Sequence, residues 1–287
     1  MFIIDGKKLA AEREQLLKIE VQKLTKKIGR RPRLVAVELS DDEGGRLYLK
    51  LKKAAAERVG IEFDVVKRPG LAWQGQALSD TDGIFIQHPR GYNKQKWQEL
   101  VDQIPPEKDV DCLTSENLRL IKEGNPRFLP ATVKAVLYSL EHVFRLERPG
   151  LAWQGQALSD ALRGKKIVIL GRSPILGLPL FWWLKSLGVN VTLFHSQSTI
   201  SDLRLAVSEA DILISSVGKP GLVTGNMVKK GAIVIDCGSP LGDVVFSEVA
   251  PKTSAITPVP GGVGPLTVVS LMENVVQSIN NAGRESS

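Results

Sequence analysis

Cysteine and long apolar runs are scarce in this sequence. Its 287 residues include only two cysteines, Cys112 and Cys237, so a disulfide framework is not expected and a reducing cytoplasm is the expected compartment. No apolar run reaches the roughly 18 residues that a membrane-spanning helix needs. The first residues also lack the basic start, apolar middle and small-residue cleavage site of a secretory signal. We therefore expect a globular protein with no membrane partner.

The charge balance is basic, with a formal net charge of +7. Such a balance admits nucleic acid as a partner, but it also suits an enzyme whose substrate and cofactor are polyanions. The lysines and arginines are spread over several helical segments and are not gathered in one block with aromatic residues between them. We interpret them as solvated faces that attract small anions, and we expect no nucleic-acid partner.

Residues 165 to 199 predict one βαβ unit. Two apolar runs, 167–170 and 189–194, flank a helical segment at about 177–187. The loop after the first run lies where a helix amino terminus offers N–H groups to a phosphate. The spacing of its glycines departs from GxGxxG, so a strand end that binds no dinucleotide stays open. The candidate cofactor-binding residues of this loop are Gly171, Arg172, Ser173 and Gly177.

The end of the second run lacks the carboxylate that holds the ribose 2′-hydroxyl in an NAD site. His195, Ser196 and Gln197 follow the strand instead. Without a carboxylate to repel it, a 2′-phosphate can accept hydrogen bonds from Arg172 and Ser196. The sequence therefore favours NADP over NAD as the cofactor.

Helices alternate with short apolar strands along the chain, which predicts an α/β fold of two domains. A helix at 6–29, capped by Asp5, is followed by strands at 33–39, 61–66 and 83–87 and a helix at 47–59. Further strands at 211–216, 232–236 and 255–257 extend the cofactor-binding sheet. A last helix, with Pro265 at its first position, has a wide apolar face that we expect to pack on the first domain.

Five polar side chains of the first half are candidates for chemistry by position. Tyr48 and Lys52 are four residues apart and project from one helical face. Gln87 ends a strand, and Asp109 and Asp111 alternate, so that one can cap a turn while the other faces a pocket. Each feature alone is also typical of an ordinary solvated helix face, strand end or turn.

One string, RPGLAWQGQALSD, occurs twice, at 68–80 and again at 148–160. Identity of this length does not arise by chance, and an old duplication rarely stays perfect while its flanks diverge. We interpret both copies as loop or connector segments of recent or artificial insertion, each opened by Pro-Gly. Neither copy contains a residue to which we assign chemistry.

A set of motifs recurs in order along the chain: YLKLKKAAAERVGI, DGIFIQHP, EKDVDCL, GKKIVILGRSPILGLP, FHSQST, ADILISSVGKPG and TPVPGGVGPLT. With them the sequence resembles the bifunctional methylenetetrahydrofolate dehydrogenase/cyclohydrolase family over essentially its whole length, apart from the repeated string. The resemblance implies oxidation of 5,10-methylenetetrahydrofolate with NADP and hydrolysis of the 5,10-methenyl product to 10-formyltetrahydrofolate, without a metal.

The same resemblance implies two α/β domains and a homodimer formed through the cofactor domains. We place a catalytic, folate-binding domain at 1–147 plus 265–287 and a Rossmann-type NADP-binding domain at 148–264. Within the first domain, Lys52 is similar to the catalytic lysine of the family and Gln87 to its hydrogen-bonding partner. Tyr48 is similar to the ring that stacks on the aminobenzoyl part of folate, and Asp111 to the carboxylate that binds the amino-pyrimidine edge of the pteridine.

In the second domain, Arg172 and Ser196 are similar to the 2′-phosphate ligands of the family. The family loop that borders cofactor and substrate is matched by Gly261, Gly262 and Pro265.

The sequence departs from the family pattern at four places in the expected substrate cleft. Gly45 replaces the serine usual three residues before the tyrosine, QLPLP reads QHPRG, DVDGF reads DVDCL, and a PCTP-like turn reads Pro130 to Val133. These changes bear on rate and folate affinity more than on the type of reaction.

Three other readings stay open on the sequence. One is another two-domain NADP oxidoreductase, such as a shikimate-dehydrogenase-like enzyme acting on a hydroxy acid. A second is a non-catalytic protein that binds anions or nucleic acid. A third is a disabled paralogue that retains cofactor binding.

Overall fold

A computed structural model describes residues 1–39, 43–67, 80–87, 93–147 and 156–285. Its strands are β1 (Phe2–Ile3), β2 (Arg33–Glu38), β3 (Glu62–Lys67), β4 (Gly83–Gln87), β5 (Ile167–Leu170), β6 (Val191–Phe194), β7 (Ile212–Ser215), β8 (Ile233–Asp236) and β9 (Ala255–Ile256). Its helices are α1 (Gly6–Ile28), α2 (Glu43–Val59), α3 (Lys94–Val101), α4 (Ser115–Lys122), α5 (Ala131–Glu147), α6 (Gln156–Leu162), α7 (Gly177–Ser186), α8 (Ile200–Glu209), α9 (Phe246–Val249) and α10 (Val263–Glu285).

The chain divides into two compact units. Unit 1 comprises Met1–Leu9, Ile121–Asn125 and Thr132–Thr267, and unit 2 comprises Ala10–Leu120, Pro126–Ala131 and Val268–Ser287. Both units contain parallel strands and helices, so the prediction of a two-domain α/β fold is confirmed. The exact domain bounds given above stay a prediction.

Unit 2 is built on a parallel sheet with the strand order β3-β2-β4 in the described residues. The central strand places Val35 between Asp64 and Ile84. Residues 34–38 of this strand are buried, as expected for a parallel strand covered on both faces. Helix α1 begins as predicted, because the Lys8 backbone N–H donates to Asp5 Oδ1 at 3.0 Å.

The C-terminal helix α10 packs on unit 2, which confirms the prediction from its apolar face. Asn274 Nδ2 donates to the carbonyl oxygens of Val110 at 2.8 Å and Leu129 at 3.0 Å. Ser278 Oγ donates to the Asp82 carbonyl at 2.6 Å. These buried polar side chains lie among apolar residues of the helix and fix its position on unit 2.

Unit 1 is built on a parallel sheet with the strand order β1-β9-β8-β7-β5-β6 in the described residues. The predicted βαβ unit is confirmed as β5, α7 and β6, with Leu170 beside Phe194 in the register. Val168, Leu213 and Val234 are buried in the core that covers this sheet. The carboxyl ends of β5, β6 and β7 therefore lie side by side at one edge.

Several features differ from the sequence-based expectation, and α2 begins at Glu43, four residues before its predicted start. Strand β1 was not expected, and it pairs in parallel with β9 through Phe2 and Ala255. Helix α10 begins at Val263, so Pro265 is its third residue and not its first. The interpretation of the second repeat as a loop is wrong for 156–160, which lie in α6.

Helix α6 forms because residues beyond the repeat complete its apolar face. Leu158 belongs to the repeat, whereas Ala161 and Leu162 follow it, and all three are buried. The remaining repeat residues, apart from Asp80 in a turn, lie outside the described ranges. Within the described residues, none of the helices combines the length and the apolar composition of a membrane-spanning segment.

Candidate active site

The structure brings Lys52 and Gln87 together in unit 2. Lys52 lies on α2 and Gln87 is the last residue of β4, and Lys52 Nζ donates to Gln87 Oε1 at 3.4 Å. The same Nζ lies over the ring of Phe85, 3.9 Å from its centroid. An amine from a helix thus meets an amide and an aromatic face at the carboxyl end of a buried strand.

Burial and a nearby charge act in opposite directions on this amine. Burial lowers the pKa of Lys52, and the nearby negative charge of Asp111 opposes that effect. Tyr48, one turn earlier on α2, keeps 38% of its surface exposed. An aromatic ring, an amine and a carboxylate are therefore available within one unit for a flat, polar substrate.

Asp109 is the capping member of the alternating pair, and Asp111 is only partly buried. Asp109 Oδ2 accepts hydrogen bonds from the Thr114 backbone N–H at 2.7 Å and from Asn117 Nδ2 at 3.0 Å. Its backbone pairs with Ile84 of β4. Burial raises the pKa of Asp109 to about 6, and the hydrogen bonds oppose that rise.

The turn between these carboxylates and α4 contains a strained residue. Cys112, which stands where the family pattern has glycine, has a φ of 61°. This left-handed conformation is unfavourable for a residue with a Cβ atom. The Cys112 side chain is buried, and its Sγ donates to the Phe128 carbonyl at 3.3 Å. Burial and this contact fix the turn that carries Asp111.

Two other departures from the family pattern say less about the geometry of the site. Gly45 is a buried residue of α2, three positions before Tyr48. Residues 88–91, which complete the QHPRG string, lie outside the described ranges.

The loop after β5 in unit 1 requires glycine at two positions. A Cβ atom on Gly177 would lie 1.8 Å from the Gly171 carbonyl oxygen, and one on Gly171 would lie 2.5 Å from the Ser216 carbonyl oxygen. Ser173 Oγ accepts a hydrogen bond from the Ile175 backbone N–H at 3.1 Å. Leu176, the residue immediately before α7, provides no side-chain cap. A tight loop thus leads to a helix amino terminus without a side-chain cap, where the Leu178 backbone N–H donates to the Ser173 carbonyl at 3.1 Å. Such a terminus suits a phosphate.

The ends of β5 and β6 place Arg172 and Ser196 after neighbouring strands, and both residues are exposed. The turn after β6 is held by His195, whose backbone N–H donates to Ser198 Oγ at 3.1 Å and whose Nδ1 accepts from the Gln197 N–H at 3.2 Å. Residues 195–199 contain no carboxylate. The glycine loop, the helix terminus and this polar turn fit a dinucleotide with a 2′-phosphate.

The glycines of the last motif also lie in unit 1. The Lys7 backbone N–H donates to the Gly261 carbonyl at 3.1 Å. A Cβ atom on Gly6 would lie 1.7 Å from the Gly262 carbonyl oxygen. Pro265 lies in the first turn of α10. The segment that ends in Pro265 is therefore packed against the amino-terminal residues of the chain.

Two residues contact groups of the candidate site, but no sequence pattern identifies them. Phe85 reads as one more apolar residue of a buried strand, although its ring contacts Lys52. Asp243 lies in a turn after β8, is fully buried and accepts hydrogen bonds from the backbone N–H groups of Val217 and Lys219. It thereby fixes the loop after β7 that lies against Gly171. Both roles depend on contacts between residues that are distant in the sequence, so a local sequence pattern cannot reveal them.

Comparisons with known proteins agree with this geometry. Residues 4–111 match the model of the tetrahydrofolate dehydrogenase/cyclohydrolase catalytic domain, and residues 156–283 match that of the NAD(P)-binding domain of the same family. The bifunctional protein FolD of Moorella thermoacetica is 37% identical over 292 residues, covering 96% of this chain and 98% of that protein.

Solved structures give the same result. The bifunctional FolD dehydrogenase/cyclohydrolase of Campylobacter jejuni has a TM-score of 0.84 at 32% identity, covering 98% of this chain and 99% of that one. The Trypanosoma brucei FolD, crystallised with NADP and an inhibitor, has a TM-score of 0.82 at 30% identity, covering 98% of each chain. Both similarities extend over nearly the whole chain.

Proposed function

Because this chain belongs to the tetrahydrofolate dehydrogenase/cyclohydrolase family, we propose that Lys52 is the base of its hydrolytic step and that Gln87 holds the lysine in position. The chain oxidises 5,10-methylenetetrahydrofolate to 5,10-methenyltetrahydrofolate with NADP and hydrolyses the product to 10-formyltetrahydrofolate. The observation that carries the role of Lys52 is its place: a partly buried amine, with a pKa lowered by burial, 3.4 Å from Gln87 Oε1.

The oxidation needs alignment more than acid or base chemistry. NADP, when bound, accepts the hydride that leaves the methylene carbon between N5 and N10 of the folate. The two nitrogens stabilise the resulting cation, so the protein has only to hold the substrate in place. We assign Tyr48 to stacking on the aminobenzoyl ring and Asp111 to binding the amino-pyrimidine edge. The partial exposure of both side chains supports these assignments.

The hydrolysis requires proton movement. Water attacks the methenyl carbon, and one of its protons leaves through Lys52 Nζ. The second proton ends on N5 as the bond from the carbon to N5 breaks, which leaves the formyl group on N10. Only a neutral amine can accept a proton, and burial supports that state by lowering the pKa of Lys52.

The cofactor roles rest on the edge of the unit 1 sheet. We assign Arg172 and Ser196 to the 2′-phosphate, because both follow neighbouring strand ends and 195–199 contain no carboxylate. Gly171, Ser173 and Gly177 form the loop that brings the diphosphate to the amino terminus of α7. We assign Gly261, Gly262 and Pro265 to the border of the cofactor and the folate.

We also assign a homodimer formed through the cofactor domain, and a cytoplasmic location. Among the described residues, β6 is the last strand of its sheet, and α8, which follows it, leaves Ile200 74% and Leu205 62% exposed. A strand at that position next to exposed apolar side chains supports an interface. Two free thiols, Cys112 and Cys237, support a reducing compartment. Light scattering that gives a monomer mass would contradict the dimer, and recovery of the protein outside the cytoplasm would contradict the location.

Replacement of Lys52 by methionine tests the assignment of the base. Lys52→Met removes the amine and keeps an apolar stem, so we expect hydrolysis of methenyltetrahydrofolate to fall by about 10²–10⁴-fold. Formation of reduced NADP from methylenetetrahydrofolate should fall far less, because that step needs no base. Both rates are measured separately, by loss of the methenyl absorbance and by appearance of the reduced nicotinamide.

The matched control is Lys53→Met, which removes the exposed lysine next in the chain. We expect this variant to retain both rates. Equal loss of both activities in Lys52→Met would mean that Lys52 supports the fold or substrate binding and is not the base. A wild-type chain that binds NADP and turns over no folate would identify a disabled paralogue.

A further inference from the structure

The Lys52 amine has an aromatic neighbour that is held rigidly. Lys52 Nζ lies 3.9 Å from the Phe85 ring centroid, while its hydrogen bond to Gln87 is long, at 3.4 Å. Phe85 is fully buried in β4. Its ring packs on that of Phe63 in β3, with the centroids 6.2 Å apart and the planes at 53°. The buried strand therefore holds the aromatic face under the amine.

We propose that Phe85 is a positioning residue of the hydrolytic step: its ring holds Lys52 Nζ beside Gln87 and favours the protonated amine, and so sets the pH above which Lys52 acts as a base. The proposal rests on the role of Lys52 proposed above. The face of an aromatic ring carries negative electrostatic potential that attracts an ammonium group, and the attraction strengthens when water is excluded. A neutral amine has no charge for the ring to attract.

Three influences on the protonation of Lys52 have defined directions. Burial favours the neutral amine, while the carboxylate of Asp111 favours the ammonium. The Phe85 ring acts in the same direction as Asp111. The Gln87 amide oxygen accepts a hydrogen bond from either form of the amine, so it orients Lys52 with less effect on its charge. The ring therefore limits how far burial can lower the pKa, and its removal should lower the pKa further.

Replacement of Phe85 by leucine tests the proposal, because it keeps an apolar side chain and removes the ring. We expect the acid limb of the pH profile for hydrolysis to move down by about 0.4–1.5 pH units. On the acid side of the profile, where the wild-type rate is falling, we compare each rate with the plateau rate of the same protein. This fraction should be about three- to thirtyfold higher in Phe85→Leu than in wild type. The plateau kcat should fall, because the amine is held less firmly. The pH profile of methylenetetrahydrofolate oxidation should not move.

The matched control is Phe63→Leu, which makes the same change in the ring that packs on Phe85. A purely structural effect would alter both variants alike, whereas the proposal expects the shift of the pH profile in Phe85→Leu alone. Phe85→Met serves as a second variant if the leucine variant folds poorly, since methionine fills irregular space without a ring.

A direct titration separates this proposal from the role of Lys52. The pKa of Lys52 is read by NMR of isotopically labelled lysine in the whole protein, with and without Phe85→Leu and with Lys52→Met to assign the signal. A lower pKa together with the moved hydrolysis profile supports the proposal. An unchanged pKa overturns the role of Phe85 alone. A lower pKa with an unmoved hydrolysis profile overturns Lys52 as the base and with it the catalytic role of Phe85.

Discussion

At the scale of single residues, burial acts in opposite directions on the two kinds of charge in unit 2. It lowers the pKa of the Lys52 amine and raises that of the Asp109 carboxyl to about 6. Both shifts have one cause, because a buried group avoids its charged form. For Lys52 the neutral form is the one that can accept a proton. For Asp109, a capping residue, the same effect makes stability depend on pH.

Replacement of Asp109 by asparagine should remove that dependence. The pKa of Asp109 rises from 3.8 to about 6 on folding, so its contribution to the free energy of unfolding is largest below about pH 4. That contribution falls as pH rises through 6, by up to about 3 kcal/mol. Asp109→Asn is neutral at every pH. Its stability relative to wild type should therefore improve by up to about 3 kcal/mol between acid and neutral pH.

The measurement is urea unfolding of both proteins across this pH range. The difference between the two curves isolates Asp109 from the other groups that titrate there. Curves that stay parallel from pH 4 to 7 would contradict the assigned shift.

The roles of single residues were the hardest part to predict. The four-residue spacing of Tyr48 and Lys52 places them on one helix face, but such spacing is common on solvated helices. Only the family resemblance identified Lys52 and Gln87 as partners, and the structure does bring them together. The sequence did not predict the role of Phe85, because its contact with Lys52 joins residues of two different elements. The alternation of Asp109 and Asp111 did predict that one would cap a turn.

At the scale of elements, helix α7 depends on close backbone approach at its amino terminus. Gly177→Ala would place a Cβ atom 1.8 Å from the Gly171 carbonyl oxygen, and both atoms belong to the candidate phosphate loop. We expect the free energy of unfolding to fall by about 3 kcal/mol and NADP affinity to fall at least about tenfold, because the loop must move. Thermal unfolding and calorimetric titration with NADP measure the two effects.

Gly188, just beyond the other end of α7, provides the control. Its φ is 71°, but a Cβ atom there meets nothing within 4 Å. Gly188→Ala should cost only about 1 kcal/mol of backbone strain and leave NADP affinity unchanged. Equal losses of NADP affinity in the two variants would mean that the approach of Gly177 to Gly171 does not shape the site.

The sequence predicted the elements that have a clear hydrophobic pattern. It did not predict very short elements or those that depend on contacts with residues outside them. Strands β5 and β6 are continuous apolar runs that flank a glycine loop, and they were identified with α7 from sequence. Strand β1 has only two residues, and its partner β9 lies some 250 positions later, so no local pattern reveals it. The QALSD ending of the second repeat is helical because the following residues complete an apolar face.

At the scale of the whole molecule, the alternation of strands and helices was enough to predict the α/β class and two domains. The chemistry needed more. A loop with glycines and a strand end without a carboxylate indicated a cofactor with a 2′-phosphate, whereas the folate chemistry came from the family resemblance. The membership of the family and the contact of Lys52 with Gln87 support one account of an oxidation followed by a hydrolysis.

A single progress curve tests that account most directly. Purified wild-type chain is mixed with methylenetetrahydrofolate and either NADP or NAD, and the reduced nicotinamide, the methenyl intermediate and 10-formyltetrahydrofolate are quantified over time. We expect faster reduction of NADP than of NAD, with 10-formyltetrahydrofolate as the end product. Two results would contradict the account. One is that no nucleotide is reduced, and the other is that methenyltetrahydrofolate accumulates and disappears no faster than it hydrolyses without the protein.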